Sequence, residues 1–392
     1  MIVGQREIKH LDALPESYDQ AIAIFDKWRP PPKADNTKEC LAAGGDAYLK
    51  EEVRSSAIKL PDGKYRTMFR DTPWGGKSIT FITNPNPDLP GEHTTGGDAM
   101  ARIHGWLASY PAIDGIYIDS LGRNWGGKLN FRRDHFAYAR CPLTFDRDGN
   151  VALHNQLSHY EFLDKLRADL RSRDKLLMAN GVYIYKDKAC EYADVTDTGR
   201  FFLASLLDAA GCESSSPSTA RWEFYRVCMG PKPYLMLKYH WKNAEEVRKV
   251  FNEALCYGVF VTNSNNFNLD YWGNPEGHAR DKGLYEWYVP LVRTLSKAGW
   301  QPVTHATSPT EDVRFERYGD SVDLYFTVYN PGPERECILA IETEPLGLGK
   351  DTRVEQISGP GFVGADWSAS KLTVRTKLGA ERTAVIGVSD GE

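Results

Sequence analysis

The chain has 392 residues, 41% hydrophobic and 26% charged, a balance that excludes disorder as its main state and provides a core for two domains, or for a barrel with a smaller partner. Its 48 Lys and Arg against 53 Asp and Glu give a net charge of −5 with no dense basic tract, which argues against a nucleic-acid partner. Seven scattered cysteines, odd in number and without a CxxC pair, argue against a disulfide scaffold and a zinc ribbon. The opening MIVGQREIKHLD is charged by its sixth residue and does not read as a signal peptide, and no apolar run approaches the ~18 residues of a membrane span. The expectation is a soluble protein without a membrane partner, either cytoplasmic or secreted with its leader removed. Aromatics reach 12%, many of them beside Gly, Asn and charged residues. That pattern suits either sugar binding, where rings stack on C–H faces, or a large Tyr-containing core.

From the N-terminus, the residues from Ile8 to Trp28 read as helical, and Arg29-Pro-Pro-Pro-Lys33 reads as a linker or loop. Ser78 to Thr83 is a strand, Gly97 to Leu107 has helical spacing, and Gly115-Ile-Tyr-Ile-Asp119 is an apolar strand ending in a carboxylate. A long polar loop follows. Tyr160, Leu163, Leu166 and Leu170 then recur at three- and four-residue intervals as an amphipathic helix, ahead of the strand Leu176 to Asn180. Further on, strands at Gly211 to Glu213, Pro233 to Tyr239 and Val259 to Asn263 alternate with helices at Ala220 to Met229, after Asn243, and at Gly283 to Ala298.

Strands alternating with helices of roughly 10 to 15 residues predict parallel β/α units and a (β/α)8 TIM-type barrel, whose strand ends converge on one face. A doubly wound open sheet competes, but no GxGxxG follows a strand. The count places Ser78 to Thr83 as the third barrel strand, which leaves the first 65 residues two strands short. Either the barrel is incomplete there, or irregular strands lie around Ile2-Val3 and from Lys64 to Phe69. Beyond Trp300 short alternating strands and Gly-Asp and Asn-Pro-Gly turns predict an all-β sandwich. The expected division is a helical or irregular segment packed on the barrel at 1–65, a barrel at 66–300 and a sandwich at 301–392.

Asp119, directly after its strand, is the expected nucleophile at a barrel mouth. Glycosidic cleavage needs a second carboxyl group, and Glu213, two strands later, is its expected partner, with Asp208 an alternative. Substrate-binding candidates are Trp125, Arg132 and His135 in the loop behind Asp119, together with Trp74, Asn180, Tyr239, His240, Trp241 and Asn263 at or near strand ends. The run Asp146-Arg-Asp148-Gly149-Asn150 begins like a calcium loop, but position twelve is Leu157 and Gly falls fourth, so a hairpin turn is expected. No metal-ligand spacing such as HExxH occurs, and neither metal nor cofactor is expected.

Asp-Gly-Ile-Tyr-Ile-Asp119-Ser, Glu213 on a later strand, and the run from Tyr288 to Trp300 leading into the β region together resemble retaining (β/α)8 glycoside hydrolases with a C-terminal β-sandwich. That broad group contains α-galactosidases, α-glucosidases and endo-α-N-acetylgalactosaminidases. The resemblance runs from about Ile79 to the C-terminus. It implies that Asp119, on the fourth strand, is the nucleophile, and that the acid/base comes from the fifth or sixth strand, matching Glu213. The chain departs from the group at its start, where relatives have a full barrel. Two functions stay open: a glycosidase acting on an oligo- or polysaccharide, and a non-catalytic carbohydrate-binding protein on a degenerate barrel. The carboxyl separation would distinguish retention, ~5–5.5 Å, from inversion, ~6.5–9.5 Å.

Overall fold

The computed structural model describes residues 3–30, 47–72, 75–121, 128–180, 202–212, 219–238, 243–263, 275–320, 323–368 and 370–389. The chain divides into two compact units, residues 1–207 and 208–392.

In the first unit, β1 (Gln5–Ile8), β2 (Thr67–Thr72) and β3 (Gly76–Ile82) form an antiparallel sheet in the order β1-β3-β2. The two early strands therefore exist close to where irregular strands were expected. They run against β3 instead of extending a parallel set, with Gln5 opposite Ile82 and Thr67 opposite Phe81. Chain length is the reason: three residues separate β2 from β3, enough for a hairpin and far too few for a parallel crossover. The expected helix from Ile8 is confined to α1 (Tyr18–Lys27), because Ile8 lies in β1 and Ser17 caps the helix by accepting from Gln20 N at 3.2 Å. Ile8, Phe25, Leu49, Val53, Ile79 and Phe81 close a core between this sheet, α1 and α2 (Leu49–Ser56).

Two β/α units follow. Thr94 caps α3 (Thr95–Ser109), which leads into β4 (Gly115–Ile118). A ribbon of β5 (Leu129–Asn130), β6 (Thr144–Phe145) and β7 (Val151–His154) precedes α4 (Asn155–Ser172) and β8 (Leu176–Ala179). The expected turn joins β6 to β7, and Asp146 Oδ1 accepts from the backbone N–H groups of Asp148 and Asn150. β4 and β8 pair in parallel, Gly115 with Leu176 through Ile118 with Ala179.

The second unit opens with three parallel strands, β9 (Ala209–Cys212), β10 (Tyr234–Lys238) and β11 (Val259–Asn263). They are separated by α5 (Thr219–Met229) and α6 (Ala244–Cys256), and followed by α7 (Pro275–Ala298). Asn243 caps α6 as its position predicts, accepting from Glu246 N at 2.9 Å.

The remaining strands make two antiparallel sheets. One contains β12 (Trp300–Gln301), β14 (Arg314–Tyr318), β15 (Leu324–Asn330), β20 (Arg382–Ser389) and β17 (Arg353–Gln356), in that order. The other runs β13 (Ala306–Thr307), β16 (Arg335–Glu342), β19 (Lys371–Leu378) and β18 (Phe362–Trp367). Phe326, Val328 and Ile386 from the first meet Leu339, Ile341 and Val374 from the second in one buried core. The fold is thus mixed α/β, with parallel strands in both units and separate antiparallel sheets. No helix among the described residues is long and apolar enough to cross a membrane.

Candidate active site

Strand alternation gives β4 and β8 two faces. In their parallel register Ile116, Ile118, Leu177 and Ala179 share one, and all four are buried. Gly115, Tyr117, Leu176 and Met178 share the other, where Tyr117 is 37% and Leu176 56% exposed. Gly115 and Met178 on this face are half-buried, so the face is partly in solvent, most of all at Leu176.

Asp119 directly follows β4 and Asn180 directly follows β8, so the two stand at the C-terminal ends of neighbouring parallel strands. Continued alternation puts both on the Tyr117 side. Four hydrogen bonds bind Asn180 to the end of β4. Its Nδ2 donates to Asp119 Oδ1 at 2.9 Å, and its Oδ1 accepts from Ser120 N. Its own N–H donates to Ile118 O at 3.2 Å, and its carbonyl accepts from Leu121 N at 3.0 Å. Asn180 is 1% exposed, whereas Asp119 is half-buried. Ser120 adopts φ 57°, in the left-handed region uncommon for a residue with a side chain, and this turns the backbone immediately after the carboxylate. The arrangement suits a nucleophile or base. A neutral amide fixes the carboxylate's orientation without neutralising its charge, which an Arg or Lys partner would do.

Asp208 immediately precedes β9, at the N-terminal end of that strand, whereas Glu213 follows Cys212 at its C-terminal end in sequence. Asn263 is the last residue of β11, in register with Lys238. Glu213, Trp74, Trp125, Tyr239, His240, Trp241 and the side chain of Asn263 lie outside the described residues.

Arg132 and His135 are turned into the protein. His135 is 1% exposed; its Nε2 donates to Ser55 O at 2.8 Å and its Nδ1 accepts from Asn130 Nδ2 at 3.0 Å. Burial, reinforced by the Arg132 charge, pushes its pKa down to about 4 and keeps it neutral. Arg132 Nε donates to both Asp134 oxygens at 3.0 and 2.9 Å, and its Nη1 donates to Arg54 O at 2.7 Å. Together they clamp the segment behind Asp119 to the end of α2. Among the described residues no three His, Cys, Asp or Glu side chains are grouped as metal ligands would be.

Sequence reasoning passed over Tyr117 and Met178. The signal was present: period-two alternation puts residues 117 and 119 on the same face whenever 115–118 is a strand.

No family model and no curated protein matches the chain. Among solved structures it is similar to Thermotoga maritima alpha-L-fucosynthase in complex with alpha-L-Fuc-(1-2)-beta-L-Fuc-N3, at 12% identity over 58% of this chain and 66% of that one, with a TM-score of 0.25. An endo-beta1,6-glucanase is similar at 9% identity over 75% and 63% of the two chains, with a TM-score of 0.36. The cyclic alpha-maltosyl-(1→6)-maltose hydrolase of Arthrobacter globiformis is similar at 9% over 76% and 91%, with a TM-score of 0.22. These likenesses are distant and partial, and the chemistry below rests on the chain's own residues.

Proposed function

We propose that this protein is a glycoside hydrolase that cleaves O-glycosidic bonds of an oligo- or polysaccharide with retention of configuration, using Asp119 as nucleophile and Glu213 as acid/base. The observation that carries the reading is the Asp119 carboxylate at the C-terminal end of a parallel strand, oriented by the buried Asn180 amide. In β/α folds catalytic groups gather at that end of the strands. Asp119 attacks the anomeric carbon while Glu213 protonates the departing oxygen, giving a glycosyl-enzyme ester. Glu213, now ionised, takes a proton from water, whose oxygen displaces Asp119 and releases the sugar. Glu213 is preferred to Asp208 because it follows β9 whereas Asp208 precedes it. Trp74, Trp125, Tyr239, His240, Trp241 and Asn263 are the proposed sugar-binding rim, with Arg132 and His135 behind it. In this reading the parallel strands β4, β8, β9, β10 and β11 belong to the barrel of residues 66–300 and 301–392 are a β-sandwich, while the antiparallel β1-β3-β2 sheet crosses the 65/66 border and stands outside the parallel set.

The test is turnover of a panel of aryl glycosides by the wild-type chain, Asp119→Asn and Glu213→Gln. Both variants are expected to lose at least ~10³-fold in kcat, and azide is expected to restore turnover to Asp119→Gly. Unchanged turnover in either of the first two variants defeats the assignment. Sugar binding without products from the wild-type chain would instead support a carbohydrate-binding protein on a degenerate barrel.

A further inference from the structure

A concave site lies wholly within residues 208–392, between α7 and the outer face of the β15-β20-β17 sheet. Its volume is about 230 Å³. In register across the three strands, Gly387 stands between Tyr325 on β15 and Glu355 on β17, and all three residues line the cavity. Asp323, Ser389 and, from α7, Thr294 complete its polar wall.

Gly387 is informative because nothing in the backbone requires glycine there. It is not among the positive-φ residues and it pairs on both sides inside β20. A Cβ at this position would touch Ile357, Tyr325 and Glu355 at 3.6–3.8 Å, ordinary contact distances. A side chain could therefore be built, and it would fill the hollow. Glycine in mid-strand weakens a sheet, and such a position often marks a place where another group approaches closely.

We propose that this hollow binds one sugar ring of a neutral carbohydrate. At about 230 Å³ the cavity lies below the roughly 300–1,000 Å³ of clefts that enclose drug-sized ligands, which leaves room for a single ring. The Tyr325 ring offers a face for C–H stacking. Asp323 and Glu355 offer carboxylate oxygens that can each accept from vicinal hydroxyls, and Thr294, Ser389 and the Tyr325 hydroxyl can both donate and accept. A cationic ligand is the weaker fit, because Glu355 is already paired with Arg353 at 3.0 Å. The cavity shares no residue with the Asp119–Asn180 pair, and the proposal does not depend on the hydrolase reading.

The experiment is a titration of the full-length chain with methyl α- and β-glucopyranoside and methyl α- and β-galactopyranoside, monitored by NMR at the methyl groups of Ile357. At least one glycoside is expected to shift those signals in the wild-type chain and equally in Asp119→Asn. Gly387→Val is expected to weaken the response at least tenfold, and Glu355→Ala, on an exposed side chain that tolerates truncation, at least threefold. No Ile357 shift with any of the four, or the same titration curve in both cavity variants, overturns the proposal. An inactive chain that still shows the shift leaves this site standing and defeats only the hydrolase reading.

Discussion

At the scale of single residues, the Asn180 amide decides how Asp119 is presented. Removing it in Asn180→Ala frees the carboxylate to rotate, so kcat is expected to fall ~10- to 100-fold with KM changed less than about threefold, measured on whichever aryl glycoside is turned over. Asn180→Asp is a sharper probe, because it keeps the shape and places a second carboxylate about 3 Å from the first. The second carboxylate removes the N–H that donates to Asp119 Oδ1 and sets a like charge beside it, so kcat is expected to fall at least ~10-fold, as in Asn180→Ala. Turnover equal to that of the wild-type chain in both variants would mean that Asp119 does not carry the reaction. His135 marks the limit of what residue type alone can say. An imidazole in a polar loop reads as a ligand-facing group until its partners, Ser55 O and Asn130, are seen to engage both ring nitrogens.

At the scale of elements, two contacts decide how strands and helices meet. β4 approaches β8 so closely at Gly115 that an added Cβ would stand 2.2 Å from Leu176 O and 2.8 Å from its carbonyl carbon. The backbone itself would have to move, so Gly115→Ala is expected to cost about 1–3 kcal/mol in urea denaturation and to disturb the strand that carries Asp119. Arg226, 3% exposed at the end of α5, donates to Tyr257 O at 3.2 Å, Lys232 O at 2.6 Å and Gly230 O, and lies 5.8 Å from the Trp300 ring. Arg226→Met leaves these carbonyls unpaired and is expected to cost on the order of 3 kcal/mol. Lysine should not rescue it, since one ammonium lacks the forked donors that reach several carbonyls together. Elements of this kind were well marked in the sequence. Asn243 announced α6 and the apolar run announced β11, because capping and periodicity are local. The direction of β3 was not legible, since parallel and antiparallel strands carry the same alternation. The decisive fact was the three-residue connection to β2, which matters only once Thr67–Thr72 is recognised as a strand.

At the scale of the whole molecule, two titrating groups, the half-buried Glu316 and the buried His135, pull stability in opposite directions with pH. Glu316 is lifted to about 7 by burial, against the opposing Trp300 hydrogen bond and Arg226 charge, so the native state holds its proton where the unfolded chain has lost it. Its contribution is present below about 4.5 and is lost as pH rises through 7, on the order of 3 kcal/mol. His135 behaves oppositely: depressed to about 4, it contributes above about 6.5, and that contribution is lost as pH falls through 4, again on the order of 3 kcal/mol. Thermal melts from pH 4 to 8 should therefore show a flatter alkaline side in Glu316→Gln and a flatter acid side in His135→Gln. Neither residue stood out in the sequence for this role, because burial, the cause of both shifts, is a property of the assembled core.

The second unit also bears on how such a chain can be taken apart. Thr383 N donates to Asn252 Oδ1 at 2.9 Å and Thr383 Oγ1 to Asn252 O at 2.6 Å, while the hydroxyls of Tyr318 and Thr327 reach Cys256 O at 2.9 and 2.7 Å. All four bonds fasten α6, a helix of the parallel region, to strands that lie beyond residue 300. The change of texture near Trp300 is thus a border in sequence but not in cohesion. A gene cut there would yield a helix stripped of its cover, and a graft that replaced the β region would have to carry its own counterparts of Tyr318, Thr327 and Thr383.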